Sequence, residues 1–157
     1  MSDAFAVRQA DTADTPALAS LLAALFSIEQ DFAPDSERQR RGLGAVLDSP
    51  LGRIAVATAP DGSVVGMCSG QLVYSTAEGA ASVWIEDVVV AEGWRGRGIG
   101  RALLDHVLAW ANERGATRAQ LLVDLDNPPA LEFYRHLGWS ETRLAARRLG
   151  LARPSAD

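Results

Sequence analysis

Six consecutive residues, Arg95-Gly96-Arg97-Gly98-Ile99-Gly100, combine three glycines with two guanidinium groups, and Arg101 follows at once. Glycines at that density let successive backbone N–H groups turn toward one point. A helix beginning there adds its unpaired N–H groups and the positive end of its dipole. The chemistry predicted is the holding of an anion, above all a phosphate. Two known phosphate loops do not fit. A dinucleotide fingerprint needs its third glycine where this chain has Arg101, and a Walker loop needs Gly-Lys-Ser/Thr.

Upstream, Trp84-Ile-Glu-Asp-Val-Val-Val90 sets two carboxylates in an otherwise apolar strand pattern. Strand alternation predicts that Glu86 shares a side with Trp84, Val88 and Val90 while Asp87 points the other way. A carboxylate in apolar surroundings has a raised pKa, which suits a base, and Glu86 is the first candidate, with Asp87 second. Downstream, Tyr134 carries a hydroxyl that keeps its proton at neutral pH. His106 and His136 have no partner at metal-ligand spacing and read as helix-surface residues. Met67 and the single cysteine, Cys68, read as core or pocket wall. One cysteine excludes an internal disulfide and a cysteine-built zinc site, and no metal is expected.

The elements that must position these residues are legible from periodicity. Phe5–Gln9 alternates as a short strand, and Thr15-Pro16 reads as N-cap and first residue of a helix with Leu18, Leu21, Leu22 and Leu25 on one face. A second helix is predicted from about Pro34 to Leu47, weakened at Gly42 and Gly44 by about 1 kcal/mol each. Strands at 53–58 and 64–74 flank the turn Pro60-Asp61-Gly62-Ser63, and a third follows at 82–90. Next come a helix with Ile99, Leu103, Val107 and Trp110 on one face, a strand at 119–124, a helix at about 129–137 and a last strand around 140–148. The order β-α-α-β-β-β-α-β-α-β describes an α/β domain of the α+β type over residues 1–149, with a disordered tail at 150–157.

The chain has 157 residues, 48% hydrophobic and 22% charged, which fits one globular domain and excludes an intrinsically disordered chain. Fifteen basic against 20 acidic residues give a net charge of −5, an argument against nucleic acid or anionic lipid as partner and for a basic substrate. No apolar run reaches the roughly 20 residues that span a bilayer, and no signal-peptide pattern opens the chain, so a cytoplasmic location is expected.

Two segments together resemble the GNAT superfamily of N-acetyltransferases. The first runs from Ile85 to Leu104 and holds Arg95-x-x-Gly98-x-Gly100, similar to the family's pyrophosphate loop. The second is Asn127-Pro-Pro-Ala-Leu-Glu-Phe-Tyr-Arg-His-Leu-Gly-Trp139, where Asn, Ala, Phe-Tyr and Gly-aromatic recur at the family's spacing. The element order from Phe5 to about Leu149 fits as well. The resemblance implies a mixed, mostly antiparallel central sheet flanked by helices, with acetyl-CoA as co-substrate.

It also implies roles for particular residues. The pantetheine arm would pair with the strand backbone at Val88, Val89 and Val90, and the N–H groups from Arg95 through Gly96, Arg97, Gly98, Ile99, Gly100 and Arg101 would hold the pyrophosphate, helped by the three arginines. Glu86 would be the base, the Val88 N–H the oxyanion donor, and Tyr134 the acid that protonates the departing thiolate. Asn127 would contact the pantetheine or cap its helix, and capping is favoured because Pro128-Pro129 follow. The implied acceptor is a primary amine, of a small molecule in preference to a protein. A non-catalytic acyl-CoA-binding or regulatory module is the alternative. Glu29, Asp31, Asp35, Glu37, Asp124 and Asp126 are candidates to line a pocket for a cationic amine, against the plainer reading of a solvated loop. Family members often pair, so a homodimer is also an expectation.

Overall fold

In the computed structural model, which describes residues 4–28 and 35–155, the chain forms two compact units, Met1–Leu121 and Leu122–Asp157. The first holds β1 (Ala6–Gln9), α1 (Thr15–Ile28), α2 (Ser36–Asp48), β2 (Gly52–Thr58), β3 (Val64–Ser75), β4 (Ala80–Val90), α3 (Ile99–Glu113) and β5 (Ala116–Leu121). The second holds α4 (Pro128–His136). The five strands lie in sequence order in one sheet, antiparallel up to β4 and parallel between β4 and β5. Among the described residues no helix is long and apolar enough to cross a membrane.

The apolar faces read from the sequence become the two faces of this sheet. Leu18, Ala19, Leu21 and Leu22 of α1 and Leu43 of α2 pack with Ile54, Val56, Met67 and Val89. Each large aliphatic side chain buried there contributes about 1.5–3 kcal/mol. Leu43, only 4% exposed, anchors α2 between the two glycines expected to weaken it. On the other face, Ile99, Leu103 and Val107 of α3 lie so close to β3 that a Cβ on Gly66 would sit 3.1 Å from Leu103 and one on Gly70 would sit 2.5 Å from Val107.

Two expectations are corrected. Thr15 does not cap α1: its hydroxyl donates to Thr12 O, and Asp11 caps a preceding 3-10 turn, Thr12–Asp14, in a reciprocal box with Asp14. Arg8 holds the Asp14 carboxylate from the other side through bonds of 2.8 and 2.9 Å. The last strand, expected around 140–148, is not formed. Residues 140–155 are all exposed, Leu144 and Leu149 at 81% and 85%. With no apolar face buried, nothing offsets the entropy of extending the chain.

Candidate active site

The strand that carries the two carboxylates changes phase in its middle. Val83 and Ile85 of β4 flank Gly70 on the side of α3, whereas Val89 belongs to the core beneath α1. Residues of one parity cannot reach both faces of a regular strand. The register shows the cause: Met67 stands opposite Val89 and Ser69 opposite Glu86, so Cys68 alone faces both Asp87 and Val88. That extra residue is a β-bulge, and Asp87 takes it up with a left-handed φ of 56°. Among the described residues Asp87 alone adopts a positive φ without being glycine.

The bulge overturns the expected separation of the carboxylates. Trp84 lies on the face opposite Val83 and Ile85, and its Nε1 donates to Glu86 Oε1 at 3.0 Å. Ser69 lies on the face of Met67, and its hydroxyl stands 3.2 Å from Asp87 Oδ2 and 3.0 Å from Glu86 O. Glu86 and Asp87 therefore share the α1 side. Glu86 is exposed, without the apolar surroundings expected of it, and Asp87 is half-buried. Consecutive carboxylates in an apolar run were the one visible hint of a broken alternation. The left-handed turn and the Ser69 contact had no sequence signal.

Beyond the bulge, one edge of β4 has no strand partner among the described residues. Its pairing with β5 runs from Ala81–Ala116 to Ile85–Leu121 and stops there. The Ala91 N–H donates to Val65 O on β3 at 2.8 Å, so alternation turns the N–H and C=O groups of Val88 and Val90 the other way, past the end of the parallel pair. These are the backbone groups the resemblance implied. Val89, by contrast, is paired with Met67, and its side chain is buried.

After β4, a short 3-10 turn (Glu92–Trp94) leads into the glycine-rich loop. Gly96 and Gly98 both take left-handed φ values, 77° and 83°, where a side chain would be strained. Gly98 is the N-cap of α3. Among the described residues, Gly98, Ile99, Gly100 and Arg101 have no N–H donating to a backbone carbonyl, as expected for a first helical turn. The loop is thus a concentration of free donors at the positive end of a 15-residue helix.

The arginines divide. Arg95 Nε donates to Val90 O at 3.1 Å, and Arg97 lies 4.5 Å over the Trp94 ring while donating to Gly93 O. Arg101 is 3.9 Å from Asp105 on the exposed side of α3.

Asn127 and Tyr134 belong to the second unit. Asn127 caps α4, its side-chain oxygen accepting from the Ala130 N–H, and Pro128 takes the first helical position. Tyr134 is half-buried between Phe133 and Trp139, with ring centroids 5.0 and 5.9 Å away in edge-on contacts. The Trp139 N–H donates to Tyr134 O, and Gly138 reverses the chain at φ 92°. The signature's aromatics are therefore one local cluster.

Other candidates find plainer roles. Asp35 caps α2 and pairs with Arg38, Glu37 pairs with Arg41, and Asp124 accepts from the Asp126 N–H in a tight turn. Glu29 and Asp31 lie outside the described residues. Cys68 is buried, and burial together with the Asp87 charge pushes its thiol far above the ordinary range, so it stays protonated. His106 is half-buried rather than on the surface, 3.4 Å from Arg53 Nη1. Among the described residues no group of three or more His, Cys, Asp or Glu side chains could hold a metal. A cavity of about 130 Å³ lined by Leu51, Leu72, Tyr74 and Arg114 is at the Ala81 end of β4, opposite the loop.

Known proteins resemble this chain in sequence and in fold. Residues 18–139 match the model of the acetyltransferase (GNAT) family. An aminoglycoside N(6')-acetyltransferase type 1 of Stenotrophomonas maltophilia is 31% identical over 139 residues, 87% of this chain and 86% of its own. A streptothricin acetyltransferase of Streptomyces lavendulae is 38% identical over 97 residues, 62% of this chain. The matched stretch is only 49% of that relative's length. Among solved structures, an aminoglycoside acetyltransferase from an uncultured soil metagenomic sample, crystallised with sisomicin, superposes with a TM-score of 0.75. It is 21% identical, with 94% of this chain and 97% of that one covered, and so speaks for the fold alone. With a free strand edge running into a cradle of backbone donors, and a family model spanning most of its length, the chain belongs to the GNAT acetyltransferase family.

Proposed function

We propose that the chain is an acetyl-CoA-dependent N-acetyltransferase that moves an acetyl group onto a primary amine of a small molecule by direct attack on the thioester. The observation that carries this reading is the continuity of two backbone features. The outward groups of Val88 and Val90 lead, through Arg95 and its bond to Val90, into the free N–H groups of Gly98 to Arg101. A free strand edge suits an amide-bearing arm that adds like a strand, and the helix start suits a diphosphate. Acetyl-CoA supplies both, along with the activated acetyl group.

The residues of this chain then divide the work. Gly96, Arg97 and Ile99 complete the cradle, with Arg95 and Arg101 adding charge. The Val88 N–H is the donor for the developing oxyanion. A base is required because an amine resembling lysine is almost wholly protonated at neutral pH. The Glu86–Asp87 pair, on one face beside the free edge, supplies it. Tyr134 gives a proton to the departing thiolate, and Asn127 holds the start of the helix that carries it.

The acceptor class follows from charge and kinship. A net charge of −5 for the whole chain, the arginines of the basic cradle included, favours a cationic amine, and the relatives above are named for aminoglycosides and streptothricin. A cytoplasmic homodimer acting without metal completes the reading. Calorimetric titration with acetyl-CoA, followed by thiol release across a panel of amines that includes aminoglycosides, tests it. Micromolar binding and turnover on a small amine are expected. No binding at millimolar acetyl-CoA would overturn the reading, and binding without turnover on any amine would favour a non-catalytic acyl-CoA module.

A further inference from the structure

Ser69 is buried, 4% exposed, and its hydroxyl faces two oxygens that belong to consecutive residues of the bulge. One is the Glu86 carbonyl at 3.0 Å, which can only accept. The other is Asp87 Oδ2 at 3.2 Å, which accepts as carboxylate and donates as carboxylic acid. A hydroxyl has one proton to give and two lone pairs to offer. From this geometry we infer that Ser69 is a positioning residue that serves Asp87 in both protonation states, and that Asp87 is the member of the carboxylate pair that takes the proton from the substrate amine. This rests on the acetyltransferase reading above.

The step balances without any further reactant. In the resting state the Ser69 O–H donates to Asp87 Oδ2. When the amine loses its proton, an N–H bond breaks and an O–H bond forms on Asp87. The Ser69 hydroxyl then turns its own proton to Glu86 O and accepts from the new acid through a lone pair. The amine nitrogen is left with the electron pair that attacks the thioester carbonyl, and Asp87 later releases its proton to solvent. Ser69 therefore keeps a bond to the Asp87 carboxyl in both protonation states. Glu86 has no such partner: its side chain is exposed and bonded to Trp84.

Strain supports the same assignment. Asp87 holds a left-handed φ of 56°, a conformation that is strained for a residue with a side chain. The bond from Ser69 to the Glu86 carbonyl and the Asp87 carboxylate fastens that turn from within the sheet. Cys68 stands across the bulge, Glu86 is next in the strand, and α1, which packs on this face, has no ionisable group between Thr15 and Ile28.

Titration of the Asp87 carboxyl carbon by 13C NMR, in the substrate-free protein, tests this directly. In Ser69→Ala the ionised form loses the Ser69 donor, so the Asp87 midpoint is expected to rise by about one pH unit, and the acidic limb of kcat/KM with it. Ser69→Thr, which keeps the hydroxyl, restores both, and Asp87→Asn abolishes the limb. A Ser69→Ala protein that is folded, by its melting curve, with an unmoved Asp87 midpoint overturns the inference. So does an acidic limb that persists in Asp87→Asn. Because the carboxyl titration needs no turnover, failure to find any acceptor would strike the acetyltransferase reading and leave the Ser69–Asp87 result standing.

Discussion

Arg95 reaches back to the last residue of β4, its Nε donating to Val90 O at 3.1 Å. A side chain from the glycine-rich loop thus ties that loop to the unpaired end of β4. Substituting it removes both the tie and a positive charge. Charge-assisted contacts are worth about 1.5–3 kcal/mol, so Arg95→Ala should weaken acetyl-CoA binding at least tenfold by calorimetry. Arg95→Lys keeps the charge without the guanidinium fork and should fall between. Binding within twofold of wild type in the alanine variant would remove Arg95 from the cofactor site.

Tyr134→Phe keeps the aromatic packing with Phe133 and Trp139 and deletes only the hydroxyl. If that hydroxyl protonates the thiolate, kcat should fall by about 10²-fold or more while acetyl-CoA affinity holds. Equal turnover by the variant on the true acceptor would show that Tyr134 is a packing residue.

Gly70→Ala tests the approach of α3 to β3. The new methyl would stand 2.5 Å from Val107 Cγ1 and 3.0 Å from Val83 Cγ2, both deep in the core. Overpacking of this kind costs about 1–3 kcal/mol. The urea midpoint should drop accordingly, and Gly70→Ala with Val107→Ala should recover part of the loss. No change in midpoint would mean that the interface has slack.

His106 makes stability depend on pH. Burial, followed by the Arg53 cation, lowers its pKa below the ordinary 6.5, and Glu113 opposes this only in part. As pH falls below 6.5, the unfolded chain binds a proton that the folded chain refuses, so stability drops until the folded pKa is reached. Arg53 adds to the effect, because its Nη1 needs Nε2 as an acceptor. His106→Gln should flatten this part of the profile, seen in urea midpoints at pH 8 and pH 5. An unchanged slope would mean that His106 titrates alike in both states.

Asp14 adds a dependence at lower pH. Its carboxylate accepts two bonds from Arg8 and one from the Asp11 N–H, and its pKa is lowered first by the Arg8 contact. A lowered pKa gives stability that is whole above the usual 3.8 and is lost as pH falls through the folded value. Asp14→Ala should cost about 1–2 kcal/mol at neutral pH and lose that acid limb. Thermal melts between pH 7 and pH 2 measure both.

Elements whose signal is local were legible from the residues. The stripe of Ile99, Leu103, Val107 and Trp110 predicted α3, and its start at the glycine loop is where spacing put it. Asn127 before two prolines predicted the α4 cap that forms. Prediction failed where a competing cap stands a few residues upstream, or where the deciding partner is distant in sequence. Thr15 looked like a cap because the Asp11, Asp14 and Arg8 box is set by β1 and the turn after it. The last strand looked plausible because composition does not tell whether a sheet partner is available.

The carboxylate strand draws the same boundary at the site. Residue types and spacing alone determined that this chain has a glycine-rich loop at a helix start, two carboxylates before it and a tyrosine after it, because glycine conformations and helix caps act within a few residues. Which way the carboxylates point was decided by tertiary structure. One extra residue against Cys68 turned Asp87 to the side of Glu86 and under the Ser69 hydroxyl, and a bulge is a mismatch between two strands that neither strand encodes alone.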